Sequence, residues 1–511
     1  MSPSATSSGL SAAHSLHSKG RSLPKLIRFI LLASTLSLMA ISIARSQGGI
    51  VVSTETLINP HFQPGGSQIS RNFGASVLFA DLDGQAGQEV IVGAPGDWRS
   101  LTGNPEGYVF VFFASLVGGP FSHFEIQAPS PYTNESDNLF GFALAAGDVN
   151  GDGHKDLIVG APGIDPAVGD DSGAVFVFLG PWDFQPPIPY ASVTTLNYEN
   201  SPGLTSQALA MFGWAVAAED LDGTSDAEIV ASAPFYLYAG PPASIGFALA
   251  IGLHPFAWDS VPSAAQLLSA DNDGGSGHEV GRSISLGNAD TTSLRDVILG
   301  CNSWTDIDGH YETGKTQIYF NNVFLRSMSL HIDQPEVNQD HQKFGKSSAV
   351  GNFNADSFHD LAVGGPNFEN VGLGVPPPSL VVVYLSPVEP FAFNKFASLT
   401  YAGPPSPNAF GFGLAWGDID GDSLHELAIT DFMRSTRQGI VVIYKVTYPG
   451  AVTLTYLKTL QDPSPSNFSN FGYSIRAGRR SGYPNRDDFV VGAPTFMINL
   501  MEAGKVVIFN E

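Results

Sequence analysis

Seven segments of this chain begin alike, and that repetition constrains its fold more than any other feature. Six open on a Phe-Gly pair, at Phe73, Phe140, Phe212, Phe344, Phe410 and Phe471, and one opens on Val280-Gly281. The steps between them are 67, 72, 68, 64, 66 and 61 residues. About 16 residues after each opening comes an acid (Glu89, Asp156, Glu228, Asp296, Asp360, Glu426 or Asp488) and an apolar run that often ends Gly-Ala-Pro. A third run follows after a longer loop, at 107–113, 173–179, 245–251, 314–320, 379–385, 439–445 and 504–510.

Short apolar runs bounded by Gly, Pro, Asn and Asp are strand signals. Each unit reads as strand, tight turn, strand, loop, strand, then a more polar fourth strand such as those from His123 or Ser398. A fixed long period marks a repeat architecture. Four-stranded units in tandem predict an all-β chain, a seven-bladed β-propeller of four-stranded antiparallel blades with repeats beginning near 72, 139, 211, 279, 343, 409 and 470. Apolar second and third strands suit sheets buried on both faces between neighbours. The last unit has three strands, and residues 50–60 read as an orphan fourth. The N-terminal strand is therefore expected to complete the last blade and close the ring, leaving no unpaired inner edge.

Residues 1–46 differ from the rest. They hold Lys19, Arg21, Lys25, Arg28 and Arg45, no acid, an apolar stretch at 29–43, and small residues at Ala44 and Ser46. This is the pattern of a signal peptide, which makes 47–511 the propeller and the protein secreted. The rival is an uncleaved signal anchor, although the stretch is short for a span of about 20 residues. No later stretch is long and apolar enough to cross a membrane. Overall the chain has 24 Lys+Arg against 48 Asp+Glu; without the leader it would have 19 against 48, a net charge of −29. Such a balance excludes a nucleic-acid partner, since phosphate contacts need a basic surface. Cys301 is the single cysteine, so no intramolecular disulfide forms; it reads as a buried small hydrophobe. Asn134 and Asn467 head glycosylation sequons, which suit a secreted chain.

The Phe-Gly and Gly-Ala-Pro elements resemble the FG-GAP repeat, the unit of the seven-bladed propeller at the head of integrin α chains. The same repeat occurs in other secreted proteins, among them a glycosyl-phosphatidylinositol phospholipase D. The resemblance covers the chain from about residue 47 onward. It implies the propeller fold and calcium in the first hairpin of several blades. It does not carry over an activity, because one fold hosts many functions. An integrin α chain would continue into leg domains, a membrane helix and a tail. No stretch outside the repeats is long enough for a catalytic domain of the phospholipase kind.

In that register the first ligand falls eight residues after the Phe or Val, with others at alternate positions. Hard cations such as Ca²⁺ take several oxygens from carboxylates, carbonyls and water. Unit two offers the fullest set: Asp148, Asn150, Asp152, the carbonyl of His154, and Asp156. Unit six offers Asp418, Asp420, Asp422, the Leu424 carbonyl and Glu426; unit five offers Asn352, Asn354, Asp356, the Phe358 carbonyl and Asp360. Unit three has Asp220, Asp222, Thr224 and Glu228. Units one (Asp81, Asp83, Gln85, Glu89) and four (Asn288, Asp290, Thr292, Asp296) are poorer, and a ligand-free Asx-turn fits them equally well. Unit seven carries Arg479 and Arg480, then an apparent one-residue insertion, and is expected to hold no metal. An EF-hand is excluded: its twelfth position is Val159 and the flanks read as strands. All-oxygen loops, one per blade, suit structural metal better than a hydrolytic site.

No nucleophile elbow, His-metal motif or phosphate loop appears. The leading expectation is a non-enzymatic extracellular module that binds a protein or glycan. The alternative is a propeller enzyme acting on polysaccharide or glycolipid at the channel mouth. Loops between second and third strands, with Trp98, Arg99, Trp304, His310 and Tyr311 as exposed candidates, are expected to form the contact face.

Overall fold

The computed structural model describes residues 42–45 and most of 51–510. Outside the description lie 1–41, 46–50, 63–71, 97–105, 114–122, 167–170, 184–189, 199–203, 238–244, 253–265, 270–277, 290–293, 306–311, 321–328, 333–340, 367–377, 387–395, 402–408, 449–451, 481–484 and 499–500, with residues 206, 355, 357 and 511.

Seven antiparallel sheets follow one another along the chain. Blade one is Ser76–Ala80, Glu89–Ala94, Tyr108–Phe112 and His123–Ile126; blade two is Ala143–Gly147, Asp156–Ala161, Ala174–Leu179 and Ser192–Leu196. Blade three begins at Val216–Glu219, blade four at Ile284–Gly287, blade five at Ser347–Gly351 and blade six at Leu414–Gly417. Blade seven is built from both ends: Ser474–Gly478, Asp488–Ala493 and Lys505–Asn510 come from late in the chain, and Val51–Ile58 supplies the fourth strand. Ser53 pairs with Asn510 and Ile58 with Lys505, so the closing strand stands where the sequence placed it. Outside it, Ser42–Arg45, within the expected leader, adds a fifth strand.

The first strand of each blade touches the first strands of the blades before and after, with blade seven meeting blade one. Those seven strands surround the axis. Among the described residues, buried side chains form seven clusters, each shared by adjacent blades: Phe140, Val159 and Phe178 with Ile91 and Val111, for example, and Val490 and Ile508 with Phe73 and Phe110. Second and third strands are buried along their length because each is packed on both faces. Cys301 is buried among them, as expected.

The two recurrent motifs meet at one joint. The Gly of Gly-Ala-Pro in one blade lies against the carbonyl of the Phe-Gly glycine in the next. A Cβ there would stand 2.0 Å from Gly141 O at Gly93, 2.1 Å from Gly213 O at Gly160, and 1.9 Å from Gly74 O at Gly492. Only a residue without a side chain fits so close to a neighbouring backbone. A serine three residues after the Phe often donates to the same carbonyl: Ser76 Oγ to Gly141 O at 2.6 Å, Ser347 Oγ to Gly411 O at 2.7 Å and Ser474 Oγ to Gly74 O at 2.7 Å. Blade three departs from the motif with Ser232, whose own hydroxyl donates to Gly281 O at 2.8 Å.

Candidate metal centre

Between the first and second strands of each blade lies a short polar hairpin. Its final acid opens a strand packed on both faces, so it is buried even though the hairpin is wet: Asp156, Asp296, Asp360, Glu426 and Asp488 are fully buried and Glu89 nearly so. One oxygen of that carboxylate accepts the backbone N–H of an apolar residue seven positions earlier. Leu82 donates to Glu89 at 2.8 Å, Val149 to Asp156 at 2.8 Å, Leu221 to Glu228 at 2.6 Å, Phe353 to Asp360 at 3.1 Å and Ile419 to Glu426 at 3.0 Å. In blade seven the donor is Arg480, eight residues before Asp488, which is the extra residue seen in the sequence. At the tip a glycine takes positive φ, +71° at Gly151 and +81° at Gly421, where other residues would be strained.

Adjacent hairpins are bonded to each other. The carbonyl of the first ligand position accepts an N–H from the residue just before the next blade's buried acid: Asp148 O from Ala227, Asn288 O from His359, Asn352 O from His425, Asp418 O from Asp487 and Arg479 O from Gln88. These spacings were all present in the sequence, but nothing in them signals a bond to the neighbouring blade. His359 and His425 also accept, through Nδ1, the N–H of Asn288 and Asn352. Burial lowers both imidazoles, in keeping with a neutral acceptor.

The ligand oxygens converge differently from blade to blade. Asp81, Asp83 and Glu89 in blade one, Asp220, Asp222 and Glu228 in blade three, and Asp418, Asp420 and Glu426 in blade six each bring carboxylate oxygens within 4.8 Å of one another, a spacing that can hold a metal ion. Blade one thus gathers its acids as closely as blades three and six, although its sequence offered fewer liganding side chains. In blade two Asp148 accepts from the N–H groups of Asp152 and Gly153, Asp152 accepts from His154 N, and Asn150 Nδ2 donates to Asp152. Asp156 spends both oxygens on Val149 N and Gly180 N. Blade five repeats this: Asn354 Nδ2 donates to Asp356, Asp356 accepts from Phe358 N, and Asp360 accepts from Phe353 N and Ser386 N. Of unit four, Asp290 and Thr292 lie outside the described residues.

Burial, aided by the neighbouring acids, pushes Glu89 and Glu228 up to about 7 and Asp156 up to about 6. Several carboxylates are therefore held close together at a desolvated point, an arrangement that a divalent cation would relieve. The donor set, oxygen throughout, fits a hard cation.

Blade six supplies a cation of its own. Lys445 lies on the third strand beside Glu426, and its Nζ reaches Asp420 Oδ2 at 2.7 Å, Asp422 Oδ2 at 2.5 Å and Glu426 Oε1 at 3.6 Å. Against the cost of desolvation, the hydrogen bonds to Asp420 and Asp422 raise the Lys445 amine. The equivalent register places Phe113, Leu179, Gly252, Phe320, Leu385 or Asn510 in the other blades. Blade six is thus distinguished by a residue on a different strand, 19 positions beyond Glu426, which a hairpin motif does not include. Lys445→Met should cost about 1–2 kcal/mol in calcium-free buffer. It should also enlarge the stabilisation that calcium gives. Thermal melts with and without calcium check both; an unchanged calcium response would show that the amine is not competing for the site.

The expected contact face is only partly described. Trp98, Arg99, His310 and Tyr311 lie outside the described residues. Trp304 was expected to be exposed, and that is corrected: it is buried in the cluster between blades three and four, with Lys315 Nζ 4.9 Å from its ring centroid. The loop turns back on itself through Trp304 N to Cys301 O, which carries the indole inward. Asn467 is exposed, and its Oδ1 accepts from Gln438. Asn134 ends a 3-10 turn, Tyr132–Asn134. No helix among the described residues is long and apolar enough to cross a membrane.

The family model named FG-GAP repeat matches residues 140–178, from the Phe-Gly of blade two through its polar hairpin to the third strand. Blade two is an FG-GAP repeat. Outside that stretch the other blades keep the same joint and hairpin. The chain is similar to the phosphatidylinositol-glycan-specific phospholipase D of Rattus norvegicus, 29% identical over 30% of this chain and 18% of that protein. It is also similar to integrin alpha-6 of Homo sapiens, 29% identical over 27% of this chain and 12% of the integrin. With integrin alpha-PS2 of Drosophila melanogaster it shares 35% identity over 26% of this chain and 9% of the integrin. The matched stretch spans less than a fifth of each relative's length.

Proposed function

We propose that this protein is a secreted, calcium-stabilised module that binds an extracellular protein or glycan. The observation that carries this reading is the recurrence, on equivalent hairpins, of carboxylates drawn within 4.8 Å of each other and partly desolvated. Calcium at Asp148, Asn150, Asp152, the His154 carbonyl and Asp156, and at the matching atoms of blades one, three and five, would offset that repulsion. The interblade bonds at the same hairpins pass the gain to the ring. Blade six would bind calcium in competition with Lys445. In blade seven Arg479 pairs with Asp487 at 3.0 Å, and Arg480 pairs with Glu55, so cations already stand there. The leader-like first 46 residues and the sequons support an extracellular setting. The similarity to integrin α chains supports a protein or glycan ligand, met at the ends of the blades opposite the hairpins.

Calcium at a hundredfold excess over its Kd stabilises by about 2.7 kcal/mol per site. Calcium should therefore raise the melting temperature, and Asp152→Ala should remove part of the rise while Arg479→Ala leaves it intact. Equal, calcium-independent effects from both substitutions would overturn the metal assignment. A glycan array and pull-downs with and without EDTA test the ligand. The similarity to a phospholipase D favours a second reading, an enzyme acting on polysaccharide or glycolipid; turnover abolished by substitutions at the channel mouth would replace the first.

A further inference from the structure

Where the seven inner strands converge there is a cavity of about 210 Å³, lined by residues of every blade just after the Phe-Gly pairs. It lies below the roughly 300–1,000 Å³ of pockets for drug-sized ligands, so it suits a body about the size of one sugar. Among the described residues its lining carries no Asp, Glu or His, although the chain as a whole has a net charge of −24. It does carry Arg282, Lys346 and Arg476.

These cations are arranged unequally. Arg282 pairs with Glu279 through Nε at 2.7 Å and lies 4.6 Å from the Trp214 ring centroid. Lys346 lies 5.1 Å from the Phe412 ring centroid. Arg476 is different. It is exposed by surface area and lines the cavity. Its Nη1 donates to Ile475 O at 2.9 Å, and among the described residues no carboxylate pairs with it. Tyr473, on the same blade, packs its ring 5.2 Å from that of Phe412, and among the described residues its hydroxyl makes no hydrogen bond. Arg282, from blade four, is close enough to act electrostatically on that phenol.

A guanidinium with no carboxylate beside it is open to an anion that can accept its hydrogen bonds. Its planar fork matches a carboxylate with two parallel hydrogen bonds.

We propose that the central cavity binds a carboxylate-bearing sugar residue, a uronate, with Arg476 and Tyr473 holding the carboxylate and Arg282 adding charge from across the channel. This goes beyond the calcium hairpins and the loop face, and depends on neither.

Isothermal titration of the full chain, in calcium throughout, with glucuronate, glucose and sulfate tests the assignment. Glucuronate should bind saturably, and glucose and sulfate at least about tenfold more weakly. Arg476→Gln should weaken glucuronate binding about tenfold or more, the loss expected for a charge-assisted hydrogen bond. Arg476→Lys should retain part of it, and Arg437→Gln, on an exposed turn, should change nothing. No saturable glucuronate binding, equal binding of glucose or sulfate, or unchanged affinity in Arg476→Gln would each overturn the proposal. Should Arg476→Gln fail to fold, Tyr473→Phe, which removes one hydroxyl, must weaken glucuronate several-fold, and wild-type affinity there overturns it as well.

Discussion

Gly492→Val is expected to abolish the closed ring. A Cβ at 492 would stand 1.9 Å from Gly74 O, 2.9 Å from Gly74 C and 2.3 Å from Ser474 Oγ. The serine can rotate away, but the Gly74 carbonyl is main chain and already accepts from Ser474 Oγ. Blades seven and one would have to part by more than an ångström, and the Phe73, Val490 and Ile508 cluster beneath them is packed at interior density. Overpacking a core usually costs 1–3 kcal/mol. Here the excess falls on backbone, so the loss should reach the exceptional range, about 4–5 kcal/mol or more. Ser232→Gly, at the same joint in blade three, removes the hydroxyl's bonds to Gly281 O and from Ala215 N without adding bulk, and should cost about 1–2 kcal/mol. Urea unfolding of both variants checks the contrast. A wild-type midpoint for Gly492→Val would mean that the joint yields freely.

The second large effect is expected from deleting the closing strand, Val51–Ile58. It pairs with Lys505–Asn510 from Ser53 to Ile58, buries Leu57 against blade seven, and brings Glu55 to Arg480. At roughly 1 kcal/mol for each hydrogen bond lost, the ladder alone accounts for several kcal/mol. The deletion also leaves the apolar strand Lys505–Asn510 as an open edge, which invites intermolecular pairing. The deleted chain should melt well below the intact one and associate at high concentration. Light scattering and a thermal scan read both. A monomer with an unchanged melting temperature would mean that the strand is ornamental to the ring.

Much of this was legible in the sequence because the constraint is local and repeated. A Phe, a Gly and an acid 16 residues on are enough to set two strands, and seven copies set the ring. The orphan strand at 50–60 was legible because a four-strand unit with three strands leaves a visible debt in hydrogen bonds. The relations between blades were less legible. That Gly492 faces Gly74, or that Ala227 N reaches Asp148 O, depends on how one repeat stacks on the next, and neither residue advertises its partner. Lys445 was missed for the same reason: it belongs to the hairpin in space but to the third strand in sequence. Trp304 was misjudged because a loop aromatic has no periodicity to say which way it points. Arg476 and Tyr473 carry no motif of their own; only the closed ring brings both to the lining of one cavity.

The shared blade also sets an order of events during synthesis. Ser53 and Asn510, bonded neighbours in the finished molecule, are 457 residues apart in the chain. At roughly 5–20 residues per second, a ribosome makes the second of them some tens of seconds after the first. Throughout that interval the segment around Leu57 has emerged without the strand it was shaped to cover. Folding of the first six blades can proceed as each appears, since their contacts are between consecutive repeats. The seventh must wait for Lys505–Asn510, so this protein's vulnerability to mispairing and its demand on chaperones should last until those residues emerge and end with a single capture step.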